Sequence, residues 1–222
     1  MPEVMFQGPD GRLEARYHHA KTTNPPLALV LHPHPLHGGN MNNRVVYTLY
    51  QVFQKLGFSV MRFNTRGVGK SQGRYSGGEG ELSDAAEALD WLQRINPGSK
   101  TIWVAGYQYG AWLGMQLLMR RPEVGGFISV TPPANHFDFG FLAPCPQSGL
   151  IVTGGKDEIV PESAVAKLVA KLNAQKGIRI DYRVFEDCDH FFVNHCDRLA
   201  EAAEDHLLTA LGRDERMKLA AD

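Results

Sequence analysis

Residues 104–112 read VAGYQYGAW. An apolar run ends in Gly106-Tyr107-Gln108-Tyr109-Gly110 and passes at once into AWLGMQLLMRR (111–121), a stretch with helical character. Glycines on both sides of three residues leave room for a turn sharp enough to lift its central side chain above a sheet. When the centre is serine, this frame is a nucleophile elbow. Here the centre is Gln108, and a carboxamide neither deprotonates usefully nor attacks a carbonyl.

Working outward, apolar β-branched runs alternate with longer amphipathic stretches, the pattern of βαβ units and a mostly parallel sheet. The stretches 3–8 and 12–19 flank Gly8-Pro9-Asp10-Gly11 and predict an opening hairpin. LALVLH (27–32), FSVMRFN (58–64), TIWVAG (101–106), GGFISVT (125–131), GLIVTG (149–154) and IDYRVFE (180–186) predict strands. Helices are expected from Arg44 to Leu56, from a Ser83 cap to Ile95, and over 162–175 and 197–211. The stretch between Pro132 and Pro146 reads as the only long connection, too short for a cap domain. Residues 1–212 are expected to form one domain and 213–222 a polar, frayed tail.

Composition narrows the functional classes. Of 222 residues 43% are hydrophobic and 21% charged, ordinary for a soluble globular protein. A net charge of −1 argues against a nucleic-acid footprint, which shows as a basic excess. Arg120-Arg121 ends a helix and is expected to complement its dipole. No apolar window reaches transmembrane length, and the N-terminus carries no signal-peptide core. Three cysteines do not make a disulfide framework, so a cytoplasmic protein with reduced thiols is expected.

Open α/β sheets place ligand sites at the carboxyl ends of their strands. Five expected strand ends carry chemistry: HPHPLHGG (32–39), NTRGVGKSQG (64–73), GYQYG (106–110), GGKDEIVP (154–161) and DCDHFF (187–192). In that order they resemble the α/β-hydrolase superfamily over nearly the whole chain. HPHPLHGG, MNN (41–43) and RGVGKSQG (66–73) together resemble a family of small uncapped bacterial hydrolases. The resemblance implies a doubly wound, mostly parallel sheet with helices on both faces and no cap. It also implies a Ser–Asp–His triad, in which Asp157 matches the acid and His190 the base. Gln108 stands where the nucleophile should be, and there the match fails.

The helix start after the elbow offers free backbone N–H groups, so Tyr109 N–H is one expected oxyanion donor. Pro33 and Pro35 have no N–H, which leaves His34 as the early candidate for the second. An oxyanion hole can therefore survive without the serine. Gln is longer than Ser and is expected to intrude where an acyl group would sit.

Other patterns carry less. Gly-Lys-Ser at 69–71 imitates a phosphate loop, but Asn64 stands where that pattern needs glycine, and Arg66 is expected to be a structural donor. The Cys-x-His-x4-His-Cys spacing of 188–196 fits no zinc pattern, and His32, His34 and His37 better shape a loop than hold a metal. No cofactor is expected. Cys188 is a possible substitute nucleophile but lies off the elbow. Phe137, Phe139, Phe141 and Trp112 could wall a pocket or simply pack the core.

Three functions remain open. The first is a hydrolase-lineage enzyme acting on a small acyl or carbonyl substrate through His190 and Asp157, without a serine acyl-enzyme. The second is an inactive homologue that binds a small ligand or a partner. The third is a serine esterase with its nucleophile substituted. Substrate identity and oligomeric state are not legible in the sequence.

Overall fold

The computed structural model describes residues 3–219, with side chains described as far as 212. Eight strands form one sheet: β1 (Glu3–Gly8), β2 (Gly11–His18), β3 (Leu27–Leu31), β4 (Ser59–Phe63), β5 (Ile102–Tyr107), β6 (Val124–Val130), β7 (Gly149–Gly154) and β8 (Ile180–Phe185). Their order is β1-β2-β4-β3-β5-β6-β7-β8. The first hairpin and the β2–β4 pair are antiparallel, and every later pairing is parallel. Every residue of β3, β4, β5 and β7 is buried. Continuous apolar runs are what a strand covered on both faces requires.

Five helices supply the covers: α1 (Arg44–Lys55), α2 (Glu79–Ile95), α3 (Tyr109–Arg120), α4 (Glu162–Asn173) and α5 (Cys196–Leu219). Helices α1 and α5 pack one face, where Val46, Tyr50 and Phe53 meet Leu199 and Ala203. Helices α2, α3 and α4 pack the other, where Leu89, Leu113, Leu117 and Val165 join one core; α2 lies on β1 and β3, α3 on β3, β5 and β6, and α4 on β7 and β8. Each of the valine, leucine and phenylalanine side chains among these contributes about 1.5–3 kcal/mol by leaving water. The result is a three-layer, doubly wound sheet with no cap domain.

Three local expectations change. Ser83 does not cap α2, because Gly78 does, five residues earlier, and the Ser83 hydroxyl bonds back to Glu79 O at 3.0 Å inside the helix. The 64–78 segment therefore becomes a second long connection beside 132–146. Arg121 serves carboxylates rather than the dipole, donating to Asp90 at 2.6 Å and Glu123 at 2.7 Å. The backbone of 213–219 continues α5, while the side chains of the polar tail and residues 220–222 lie outside the described residues.

The phosphate-like loop closes on protein groups. Glu14 Oε2 accepts from Asn64 Nδ2 and from Lys70 N–H, both at 2.9 Å. The Ser71 hydroxyl donates to Asn64 O at 2.7 Å. Arg66 is the structural donor the sequence suggested, with Nε and Nη2 on the two oxygens of fully buried Asp84 at 3.0 and 2.7 Å.

Candidate functional site

Strand β5 delivers Gln108. This residue has φ 52° and ψ −116°, a sparsely populated combination that costs a non-glycine residue about 1–3 kcal/mol. The residues two before and two after it must be glycine. A Cβ on Gly106 would strike the Gly110 carbonyl, and one on Gly110 would strike the carbonyls of Leu31 and His32. The turn is closed by Gln108 N–H on Val130 O at 2.8 Å and Ala111 N–H on Gln108 O at 2.9 Å. Helix α3 starts at Tyr109, so the N–H of that residue has no acceptor in its own helix.

The Gln108 side chain turns toward the loop after β3. Its Oε1 accepts the backbone N–H of His34 at 3.1 Å. The His34 ring is held from several sides. Its Nδ1 accepts Leu36 N–H at 3.2 Å, so the neutral ring carries its proton on Nε2 and donates to Tyr75 Oη at 3.1 Å. Burial, then the neighbouring His37, hold its pKa below the usual imidazole value, which keeps it neutral. His37 stacks on it and the Tyr109 ring packs against it at a tilt, each with its ring centroid 4.6 Å away.

Asp157 follows β7 and His190 follows β8. His190 Nδ1–H donates to Asp157 Oδ2 at 2.8 Å. The other oxygen, Oδ1, accepts Ile159 N–H at 2.9 Å and Val160 N–H at 2.8 Å, so both carboxylate oxygens are engaged and the group is fixed. This tautomer leaves the Nε2 lone pair of His190 free to take a proton from water or a substrate. Tyr107 secures the loop, its hydroxyl donating to His190 O at 2.6 Å. Among the described residues Gln108 and His190 share no hydrogen bond.

The five chemistry-bearing segments thus all lie at carboxyl ends of strands, after β3, β4, β5, β7 and β8. The family profile described as the α/β hydrolase fold matches residues 36–146. An uncharacterized protein of Rickettsia prowazekii is 48% identical over 213 residues, covering 94% of this chain and 90% of that protein.

The chain belongs to the α/β-hydrolase family.

A solved structure of an Agrobacterium tumefaciens protein of unknown function, described as of α/β-hydrolase type, is 55% identical with a TM-score of 0.93. It covers 95% of this chain and 97% of its own. A Xanthomonas campestris protein, described as an α/β serine hydrolase without lid, is 29% identical with a TM-score of 0.84 and 94% coverage of each chain. These likenesses agree with the uncapped architecture of this α/β-hydrolase.

Several site-forming residues escaped the sequence reading. Glu81 is fully buried, accepts Gly78 N–H at 2.7 Å and Ser76 N–H at 2.9 Å, and receives the Tyr109 hydroxyl at 3.4 Å. It thereby pulls the 75–78 segment, and with it Tyr75, against the elbow. The spacing of Glu81 from Gly78 is that of a capping box, but glycine lacks the side chain that would announce one. Tyr107 gave no signal beyond its place in the strand.

The remaining candidates have other partners. His32 is buried away from the elbow, its Nδ1–H donating to Pro33 O at 2.7 Å and its Nε2 accepting Thr65 N–H at 3.1 Å. Burial pushes its pKa down to about 4. The Cys188 thiol is buried, donates to Asp189 O at 3.2 Å, and is pushed up to about 12 by burial and by nearby Asp189, which suits no nucleophile. His195 pairs with Asp187 at 3.1 Å, and Cys196 bonds Phe192 O at 3.4 Å. Among the described residues no three His, Cys, Asp or Glu side chains gather as a metal-holding group, and no helix is long and apolar enough to cross a membrane.

Proposed function

We propose that this protein has left serine acyl transfer and keeps its cleft to bind a small acyl- or carbonyl-type ligand. The observation that carries this reading is the 3.1 Å bond from His34 N–H to Gln108 Oε1. In a serine hydrolase, the N–H donors around the elbow receive the carbonyl oxygen of the acylated serine. An acetylated serine runs Cβ–Oγ–C(=O)–CH3, and glutamine runs Cβ–Cγ–Cδ(=Oε1)–NH2. The two have the same heavy-atom connectivity. Gln108 is therefore an unreactive copy of the acyl-enzyme, with its carbonyl oxygen on one of the two oxyanion donors, His34 and Tyr109.

A second reading draws on the His190–Asp157 bond. A buried carboxylate that is held by backbone N–H groups and orients the imidazole is the arrangement that supports a histidine general base. In this reading the pair activates water on a small acyl or carbonyl substrate that displaces the Gln108 amide.

Assay of a short-chain aryl ester with the native chain, His190→Ala and Gln108→Ser separates them. Binding alone predicts no turnover above buffer for the native chain. It also predicts a gain for Gln108→Ser of about 10³-fold or more, blocked by a serine-directed phosphonate. Native turnover that His190→Ala abolishes supports the general-base reading and overturns the first. A Gln108→Ser protein that folds but stays inactive overturns the assignment of the surrounding donors and pair.

A further inference from the structure

A cleft of about 1000 Å3 opens between the 132–146 connection and α4. Its walls include none of Gln108, Asp157 and His190. The size is at the upper end of the roughly 300–1,000 Å3 usual for small-ligand sites. The cleft is preformed, because Gln175 staples its two sides together. Gln175 Nε2 donates to Leu142 O at 2.8 Å, and its Oε1 accepts Cys145 N–H at 2.6 Å. Asn135 makes a further tie, donating to Ile159 O at 2.9 Å.

The chemistry of the cleft is divided. Phe139 and Leu142 on one side, and Leu168 and Leu172 on the other, give it an apolar floor. The rim is cationic, with Lys167, Lys171 and Lys176 all exposed and, among the described residues, in no ion pair. Lys167 and Lys171 stand four apart on α4, a like-charge spacing that weakens a helix unless an anion answers it. The one carboxylate in the lining, Asp138, is turned back on its own loop, with Oδ1 accepting Gly140 N–H at 2.7 Å. A chain of methylenes fits the floor, and an anionic end group fits the rim.

We infer that this cleft binds an amphipathic anion, an alkyl chain ending in a carboxylate or a phosphate monoester. The chain lies on Phe139, Leu142, Leu168 and Leu172, and the head meets Lys167 and Lys171. Phe137 connects this site to the elbow. Its ring lies 4.5 Å from that of Trp112 and 5.7 Å from that of Tyr109, so Trp112 can report occupancy. The inference does not depend on what Gln108 does.

Titration of the full chain with dodecanoate, dodecyl phosphate and dodecanol, read by calorimetry and by the fluorescence of a Trp91→Phe, Trp103→Phe variant that keeps Trp112, tests it. The expected result is saturable binding of at least one anion below about 1 mM, with the neutral alcohol about tenfold weaker. Preference for dodecanoate assigns a fatty-acid head, and preference for dodecyl phosphate a phosphomonoester. Lys167→Gln with Lys171→Gln should weaken the anion about tenfold and leave the alcohol unchanged. Ala164→Trp, which fills the cleft from α4, should abolish both. Absence of saturable binding, indifference of the anion to the lysine pair, or undiminished binding to a folded Ala164→Trp protein would each overturn the inference.

Discussion

The backbone N–H of His34 points at the side-chain oxygen of Gln108 across 3.1 Å, joining residues 74 apart in sequence. The donor comes from a loop between two prolines that have no N–H, and the acceptor from a strained turn that only flanking glycines permit. Each partner is held by a different part of the fold, so the contact reports how the strand ends are assembled.

The first prediction isolates that donor. His34 has φ −56°, which proline adopts without strain. In the Gln108→Ser background, His34→Pro removes the N–H and should lower ester turnover by about 10²–10³-fold. His34→Ala keeps the N–H and should lose far less. Equal losses in kcat for the two variants would show that the imidazole packing, not the N–H, matters.

A second prediction concerns acid. Burial lowers the folded pKa of His32 from 6.5 to about 4, so the folded protein resists a proton that the unfolded chain accepts. Stability from this group is complete above about pH 6.5 and is lost as pH falls toward 4, by a few kcal/mol at most. His34 and His206 are lowered too and act in the same direction. Urea midpoints should therefore fall between pH 6.5 and 4, and His32→Gln should flatten part of that slope. An unchanged slope in the variant would remove His32 from the explanation.

The elbow and the general architecture were readable because they rest on local requirements. Continuous apolar runs, a glycine on each side of the turn and the Gly8–Gly11 hairpin each state their geometry within a few residues. Elimination of Pro33 and Pro35 pointed to His34 by the same local logic. What stayed hidden depends on long-range partners. The rotamer that sends Gln108 Oε1 to His34, the buried Glu81 that draws in 75–78, and the Tyr107 hydroxyl under His190 are contacts across 28 residues or more, or follow from them. Ser83 misled because a good capping residue sits inside a helix whose actual cap is a silent glycine.

The third prediction tests the 64–78 connection. Arg66→Ala strips the buried Asp84 of two guanidinium bonds, and leaving such a carboxylate uncompensated costs about 3–5 kcal/mol. Chemical denaturation should show this loss as a lower midpoint with an unchanged slope. A replacement of both partners by apolar residues should recover much of it. A midpoint shift below about 1 kcal/mol for Arg66→Ala would mean the pair is exposed to water in solution.

The Gln108 amide is a competitor that travels with its own receptor. A free inhibitor can be diluted away, but a group tethered by two methylenes faces the His34 donor at an effective concentration of millimolar order or higher. Under the proposed function, a carbonyl ligand at the elbow must first displace it, and its apparent affinity falls to the fraction of molecules in which the amide has swung aside. That proposal then carries a selectivity: weak, fleeting carbonyls would be screened out, and only a ligand abundant enough, or well enough matched to the surrounding residues, would outcompete the chain itself.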